Sequence, residues 1–276
     1  MATTQAKVNP KKKSSGFQGV KNAFFIILVC FVLAVLFFKY ILGAPEHFVN
    51  GDPTQPVKDG NLMGTVYKGG VVVPVIITLL FSVIALSIER FFALRTAFGK
   101  SSLGKFVINV KQAITAGDMA KAQQLCDKQR GSVANVVGAT LRKYKEMEEN
   151  NTLTKEQKVL SIQKELEEAT ALEMPMMQEN LPIIGTIVTL GTLMGLFGTV
   201  LGMIKSFSAM GAGEGGADSS ALSVGISEAL VNTASGIATG ALAVIAYNYY
   251  TNKIDRLTFS LDEVGFTIVE TFSATH

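Results

Sequence analysis

GTLMGLFGTVLGMIKSF, residues 191–207, and GISEALVNTASGIATGALAVIAYN, residues 225–248, are long and apolar enough to cross a membrane, yet each gathers its small and polar residues on one stripe. With Gly191 at zero and a step of about 100° per residue, Gly195, Gly198 and Gly202 fall within about 40°, while Thr199 and Thr192 lie at about 80° and 100°. One face is almost bare backbone edged with hydroxyls. The second segment repeats the design. From Gly225, the residues Asn232, Gly236, Thr239, Ala243, Glu228 and Gly240 fall within about 60°, and Thr233 lies at about 80°. Glycines four apart, Gly191 with Gly195 and Gly198 with Gly202, let another helix approach closely, which is how helices associate in lipid. The expected packing set is Gly191, Gly195, Gly198, Gly202, Gly225, Gly236 and Gly240.

Glu228 needs its own explanation. An ionised carboxylate facing lipid near mid-membrane costs several kcal/mol, so Glu228 faces protein or water, is protonated, or lies shallow, about 10 Å along the helix from its outer end. A hydroxyl in a membrane helix often bonds back to its i−4 carbonyl, which suffices for Thr186, Thr189 and Thr239. Thr199 and Thr233 flank the stripes instead, where they are candidates to order water or meet a partner's polar group. Proton transfer needs a group that gains and loses a proton, and Glu228 is the one such group deep in these segments. Either Glu228 serves, or another subunit supplies the acid.

Working outward, 48% of the chain is hydrophobic and the apolar residues come in long runs, which argues against an ordinary soluble domain. Crossing about 30 Å of hydrocarbon takes roughly 20 helical residues. Runs of that order lie at 22–43, 69–91, 181–207 and 222–250. Basic residues stay cytoplasmic. Lys7, Lys11, Lys12, Lys13 and Lys21 crowd the N-terminus, and most of the remainder lie between Arg90 and Lys164, whereas segments 44–68 and 208–221 hold only Lys58 and Lys68. Both termini and the central segment therefore read as cytoplasmic. The net charge of +3 reflects this asymmetry, and no basic cluster is interleaved with aromatics, so no nucleic-acid partner is expected. Cys30 in an apolar run and Cys126 in the central segment are topologically separated, and without spaced histidines they make no metal site.

The resulting fold class is an all-α integral membrane protein with three core transmembrane helices plus an extra N-terminal one, its long helices extending into a cytoplasmic helical domain. Residues 1–21 form a basic cytoplasmic tail, and 22–43 the extra helix or, alternatively, the apolar region of a secretory signal. Residues 44–68, with Pro45, Pro53 and Pro56, lack sustained periodicity and read as an external loop. Glu89 and Arg90 close the span 69–91 at the cytoplasmic boundary, with Phe91 and Phe92 at the interface. Segment 92–180 is polar and helical: one stretch opens at Asp118, another runs from Val133 to Met147. A third places Val159, Ile162, Leu166, Ala169 and Leu172 on one face. That third helix is expected to continue into the span 181–207, bent by Pro175 and Pro182. The loop 208–221 is external, the span 222–250 follows, and 251–276 forms a cytoplasmic C-terminal helix.

These residues resemble the ExbB/TolQ/MotA family of proton-channel subunits. GLFGTVLGMIKSF, residues 195–207, is similar to one of its motif helices, and the segment from Gly225 to its last helix, with the G-x-x-E-A-L start at Gly225, Glu228, Ala229 and Leu230. The similarity is strongest over 181–250 and weaker over about 72–180, where Gly117, Asp118 and Ala122 match a G-D-x-x-x-A pattern. The strings G-L-F-G-T-V and G-x-x-E-A-L favour the ExbB/TolQ branch. The resemblance implies a ring-forming homopentamer in the bacterial inner membrane, enclosing an ExbD- or TolR-like single-span subunit with a membrane aspartate. Proton flow past that aspartate would energise a TonB-like or Tol-type protein, without cofactor, metal or covalent catalysis. It implies that Thr199, Thr233 and Glu228, the last being the family's glutamate of the final helix, line the proton pathway. Three departures stand out: Gly191 and Thr192 replace a common Ala-Pro, Leu242 replaces a common proline, and residues 22–43 add a span. The rival readings are a non-conducting membrane scaffold and a MotA-like stator for motility. A secondary transporter fits poorly, because no internal repeat pairs the first and last spans.

Overall fold

The computed structural model describes residues 23–58, 60–211 and 219–275. The basic tail and the middle of loop 208–221 lie outside the described residues. Helix α1, Ala23–Leu36, widens into a π-helical turn over Phe37–Leu42. A short α2, Leu62–Tyr67, precedes α3, Val73–Phe98. Then come α4, Leu103–Thr115; α5, Met119–Gln129; α6, Ser132–Glu149; α7, Lys155–Gln178; α8, Leu181–Gly211; and α9, Ser219–Thr275. Among the described residues there is no strand, only an isolated bridge between Phe48 and Val57. Four helical stretches are long and apolar enough to span a bilayer: Ala23–Leu42, Gly70–Thr115, Lys155–Ser208 and Leu222–Thr275. The chain is an all-α, multi-pass membrane protein.

Local chemistry sets the element ends. Asp118 caps α5 by accepting from the Lys121 amide at 2.9 Å. Thr154 and Gln157 form a reciprocal capping box at the start of α7. Gly99 and Gly131, at φ of 82° and 88°, end α3 and open α6 against one another, and neither site has room for a Cβ.

Helices α4 to α7 share a core with the distal half of α9. At 57 residues, α9 is about 85 Å long and overshoots any bilayer. The expected separate C-terminal helix is therefore the uninterrupted end of the last spanning helix. Its buried residues Tyr250, Ile254, Leu257, Leu261, Val264, Ile268 and Phe272 recur at steps of three and four, the spacing of a coiled-coil seam. They meet Val110, Ile114, Val137, Leu141 and Ile162, and Phe272 packs edge-on to Tyr144 with centroids 4.9 Å apart. On α7, Ile162 is fully buried, while Leu172 is 68% exposed and leaves the expected apolar face. The helix has rotated away by then, and Met174 and Met177 make the core contacts in its place.

The segment 44–68, irregular in sequence, is ordered by side-chain contacts. Phe48 is fully buried and packs edge-on to Tyr67, which itself stacks on Phe38. Lys68 donates to the Pro53 and Thr54 carbonyls. Asn61 caps α2 through the Gly64 amide and also contacts His47 Nδ1 at 2.9 Å.

The junction of α7 and α8 corrects the sequence reading. Helix α7 runs on past Pro175, and the chain breaks at Asn180, which is left-handed at φ 64°. Pro182 lies in the first turn of α8, where the missing N–H would have had no helical partner. Arg90, fully buried on α3, donates through Nη1 to the carbonyls of Met176 at 3.2 Å and Met177 at 3.4 Å. These are end-of-helix acceptors that no helical N–H reaches, and a cation there also opposes the helix dipole. Glu89 accepts from Arg90 Nε at 2.6 Å and from Asn180 Nδ2 at 3.3 Å.

Replacing Arg90 by alanine strands a buried carboxylate and two carbonyls, so Arg90→Ala should cost about 3–5 kcal/mol; thermal melting in detergent would register it as a large downward shift. Burial pushes the Cys126 thiol up to about 12, and its side chain is 4% exposed. Thiolate is the reacting species, so Cys126 should resist a maleimide at pH 8 in folded protein and react promptly after denaturation, as peptide mass mapping would read.

Candidate functional site

Helices α8 and α9 run antiparallel along a seam built from their glycine stripes. A Cβ on Gly191 would meet the backbone of Gly240 and Gly236 at 3.1 and 3.3 Å. One on Gly195 would lie 3.0 Å from the Asn232 carbonyl, and one on Gly202 would lie 3.0 Å from that of Gly225. From the other side, a Cβ on Gly236 would sit 2.5 Å from the Gly191 carbonyl, and one on Gly240 would lie 2.9 Å from that of Val188. Gly198 is filled by the Asn232 side chain, and Gly225 by Ser206 Oγ. Six of the seven glycines of the stripes thus sit where the two backbones touch, and Gly198 makes room for the Asn232 side chain. Any larger residue must push the helices apart.

Two polar pairs edge this seam, one on each flank. On the first, Thr233 Oγ1 donates toward Thr199 Oγ1 and the Gly195 carbonyl, both at 3.3 Å. Thr199 in turn bonds its own helix, at 2.6 Å to the Leu196 carbonyl. Back-bonding, expected of Thr186, Thr189 and Thr239, is found at Thr186 and Thr239, to Pro182 and Ser235 at 2.9 Å. The hydroxyl that crosses the seam is Thr233. Around the threonines the flank is uncovered within this chain: Leu196 is 58% exposed, Leu230 62% and Ile237 54%.

On the opposite flank, Lys205 Nζ reaches both carboxylate oxygens of Glu228 at 3.0 Å. The carboxylate is the sheltered half, with its side chain 13% exposed against 68% for Lys205. This partner was readable from the sequence: carried to Lys205, the helical wheel puts it at about −40° from Gly191, on the flank where Glu228 lies at about −60° from Gly225. The same flank carries Asn232, whose Nδ2 donates to the Gly69 carbonyl at 2.9 Å. Helix α3 packs there too, with Tyr250 donating to the Ser87 carbonyl at 2.6 Å. Neither contact had a signal in the sequence, since both acceptors are backbone. Among the described residues no three His, Cys, Asp or Glu side chains gather at one point.

Residues 133–263, from α6 into the distal part of α9, match the MotA/TolQ/ExbB proton channel family. The chain is 38% identical over 86 residues to the putative biopolymer transport protein ExbB-like 3 of Synechocystis sp., covering 31% of this chain and 41% of that protein. It is 42% identical over 79 residues to the biopolymer transport protein ExbB of Helicobacter pylori, covering 29% and 54%. Against the Tol-Pal system protein TolQ of Haemophilus influenzae it is 32% identical over 85 residues, covering 31% and 37%. The chain thus spans between 37% and 54% of the length of these relatives. The matched residues 133–263 contain the whole glycine seam, so it is through the α8–α9 pair that the chain is similar to the MotA/TolQ/ExbB proton channel family.

Proposed function

We propose that this chain is the ring-forming subunit of an ExbB/TolQ-type motor in the bacterial inner membrane, a homopentamer around an ExbD- or TolR-like single-span subunit. The motor couples proton flow to work on a TonB-like or Tol-type energiser at the outer membrane. The observation that carries the proposal is the Thr199–Thr233 pair on the uncovered flank of a rigid glycine seam. Polar groups on an otherwise apolar, unoccupied helix face fit a neighbouring chain better than lipid.

In this reading the covered flank, with α3 and then α1 behind it, points outward. The exposed apolar side chains of α1, such as Phe24, Phe25 and Leu33, support a lipid-facing position. Segment 44–68 is periplasmic, and the N-terminus and the domain built from α4 to α7 are cytoplasmic, as the distribution of basic residues supports. Thr199 and Thr233 line the path beside an acid from the partner. Glu228 is the one carboxylate among the described residues of the seam, and it is already paired with Lys205.

The test is proton flux into vesicles holding the full chain co-assembled with its single-span partner. Thr199→Val and Thr233→Val each remove one hydroxyl, worth about 1.4 kcal/mol or about tenfold in rate. Flux should fall by that order at unchanged complex yield; full flux in both variants would remove the threonines from the path. Co-purification from native membrane should bring down a single-span chain with a membrane carboxylate. Recovery of an assembled ring alone, conducting nothing, would favour the scaffold.

A further inference from the structure

We propose that His47 is a pH-sensitive latch: while neutral it holds segment 44–68 closed, and protonation releases it. His47 is buried, and backbone partners at both ends of its contacts fix the state of the ring. Asn61 Oδ1 accepts from the Gly64 amide at 3.0 Å, so it is the Asn61 amino group, Nδ2, that faces His47 Nδ1, at 2.9 Å. An amide NH₂ only donates, so Nδ1 accepts and carries no proton. The one ring N–H is therefore on Nε2, which donates to the Ile41 carbonyl at 3.0 Å. A single neutral tautomer satisfies both contacts. It joins the π-helical turn Phe37–Leu42, which ends the first span, to the cap of α2.

A second proton on the ring makes both nitrogens donors. Nδ1–H would then face the Asn61 amino group, donor against donor. Turning the carboxamide over would offer its oxygen to His47 but withdraw it from the Gly64 amide, and α2 would lose its cap. The backbones leave no slack, since a Cβ on Gly64 would lie 3.2 Å from the His47 Cβ. Nearby charges do not replace the lost bond. Glu46 Oε1 lies 3.8 Å from Nε2, the nitrogen that donates in either state, and its side chain is 79% exposed, where an ion pair contributes little. Lys58 gives its amide to the His47 carbonyl and its ammonium to the Glu46 carbonyl, adding positive charge to the neighbourhood. Lys68 is engaged by the Pro53 and Thr54 carbonyls, and Asp52 by Thr54. The closed segment thus holds one proton fewer than the opened one. Closure is favoured at high pH and lost as pH falls through the histidine range, from about 8 to about 5. The effect reaches the seam, because the segment leads into Gly69, whose carbonyl receives Asn232 of α9. The inference rests on the channel reading only for the side of the membrane, and hence for periplasmic pH as the trigger.

The test is amide hydrogen exchange of the full chain in detergent, corrected for the intrinsic pH dependence of exchange and followed at residues 64–68. Protection should fall about tenfold, the order of one hydrogen bond, between about pH 8 and about pH 5. His47→Gln can make the same two contacts, nitrogen to Ile41 and oxygen to Asn61, without titrating, and should flatten the dependence. Asn61→Asp keeps the cap of α2 but offers the ring acceptors alone, so protection should instead rise as His47 gains its proton. His47 and His276 are the two histidines of the chain, and nitrogen NMR of histidine-labelled protein at high pH should find the His47 ring protonated on Nε2 and bare on Nδ1. Protection indifferent to pH in the unmodified protein, a dependence that survives His47→Gln or keeps its direction in Asn61→Asp, or a neutral His47 protonated on Nδ1 would each overturn the latch. None of these readouts uses proton flux, so their failure leaves the channel reading standing, and absence of flux leaves the latch.

Discussion

The backbone-to-backbone approach of α8 and α9 is the constraint from which the rest of the structure follows. Lipid offers no hydrophobic drive to bring two apolar helices together, so close packing of small residues has to do it. Gly191 against Gly240, Gly195 against Asn232 and Gly202 against Gly225 leave no room for a side chain between the helices. Once the axes are this close, side chains flanking the stripes have little choice of partner. Thr233 meets Thr199, and Glu228 meets Lys205. The seam thereby sorts polarity into a flank covered by α3 and one left open.

A second node transmits this arrangement to the distal helical domain. Arg90 and Glu89 on α3 hold the end of α7 and the left-handed Asn180 that separates it from α8. The same cluster lies one turn from Ser87, whose carbonyl receives the Tyr250 hydroxyl of α9. Three spanning helices and α7 are thus cross-linked through buried polar groups at one level. Below it the heptad-spaced face of α9 carries the orientation of the spanning helix into the core of the domain without a break.

Much of this was legible from residue periodicity. The spanning runs announce themselves by length and apolarity, because the bilayer sets both. The glycine stripes and the threonine flank were visible on a helical wheel, since the α-helical repeat is fixed by the backbone. The Lys205–Glu228 partnership is equally legible, since both residues fall on the same flank of the two stripes. The heptad of α9 from Tyr250 to Phe272 was legible too, but polar interruptions such as Asp255 and Asp262 disguised it. Segment 44–68 was not legible, because it has no period: its order comes from Phe48, Tyr67 and Lys68 meeting across turns.

The sequence by itself determined that this is a membrane protein of long helices, which faces of two of them pack, and which family's motifs they carry. These properties repeat along the chain at the period of a helix. Only the tertiary structure decided that the chain breaks at Asn180 rather than at a proline, that Arg90 is buried on the carbonyls of another helix, and that Glu228 is held on the flank away from Thr199 and Thr233. Each of these depends on an acceptor or a neighbour far along the chain, often a backbone atom, and backbone atoms carry no signature in the order of residues.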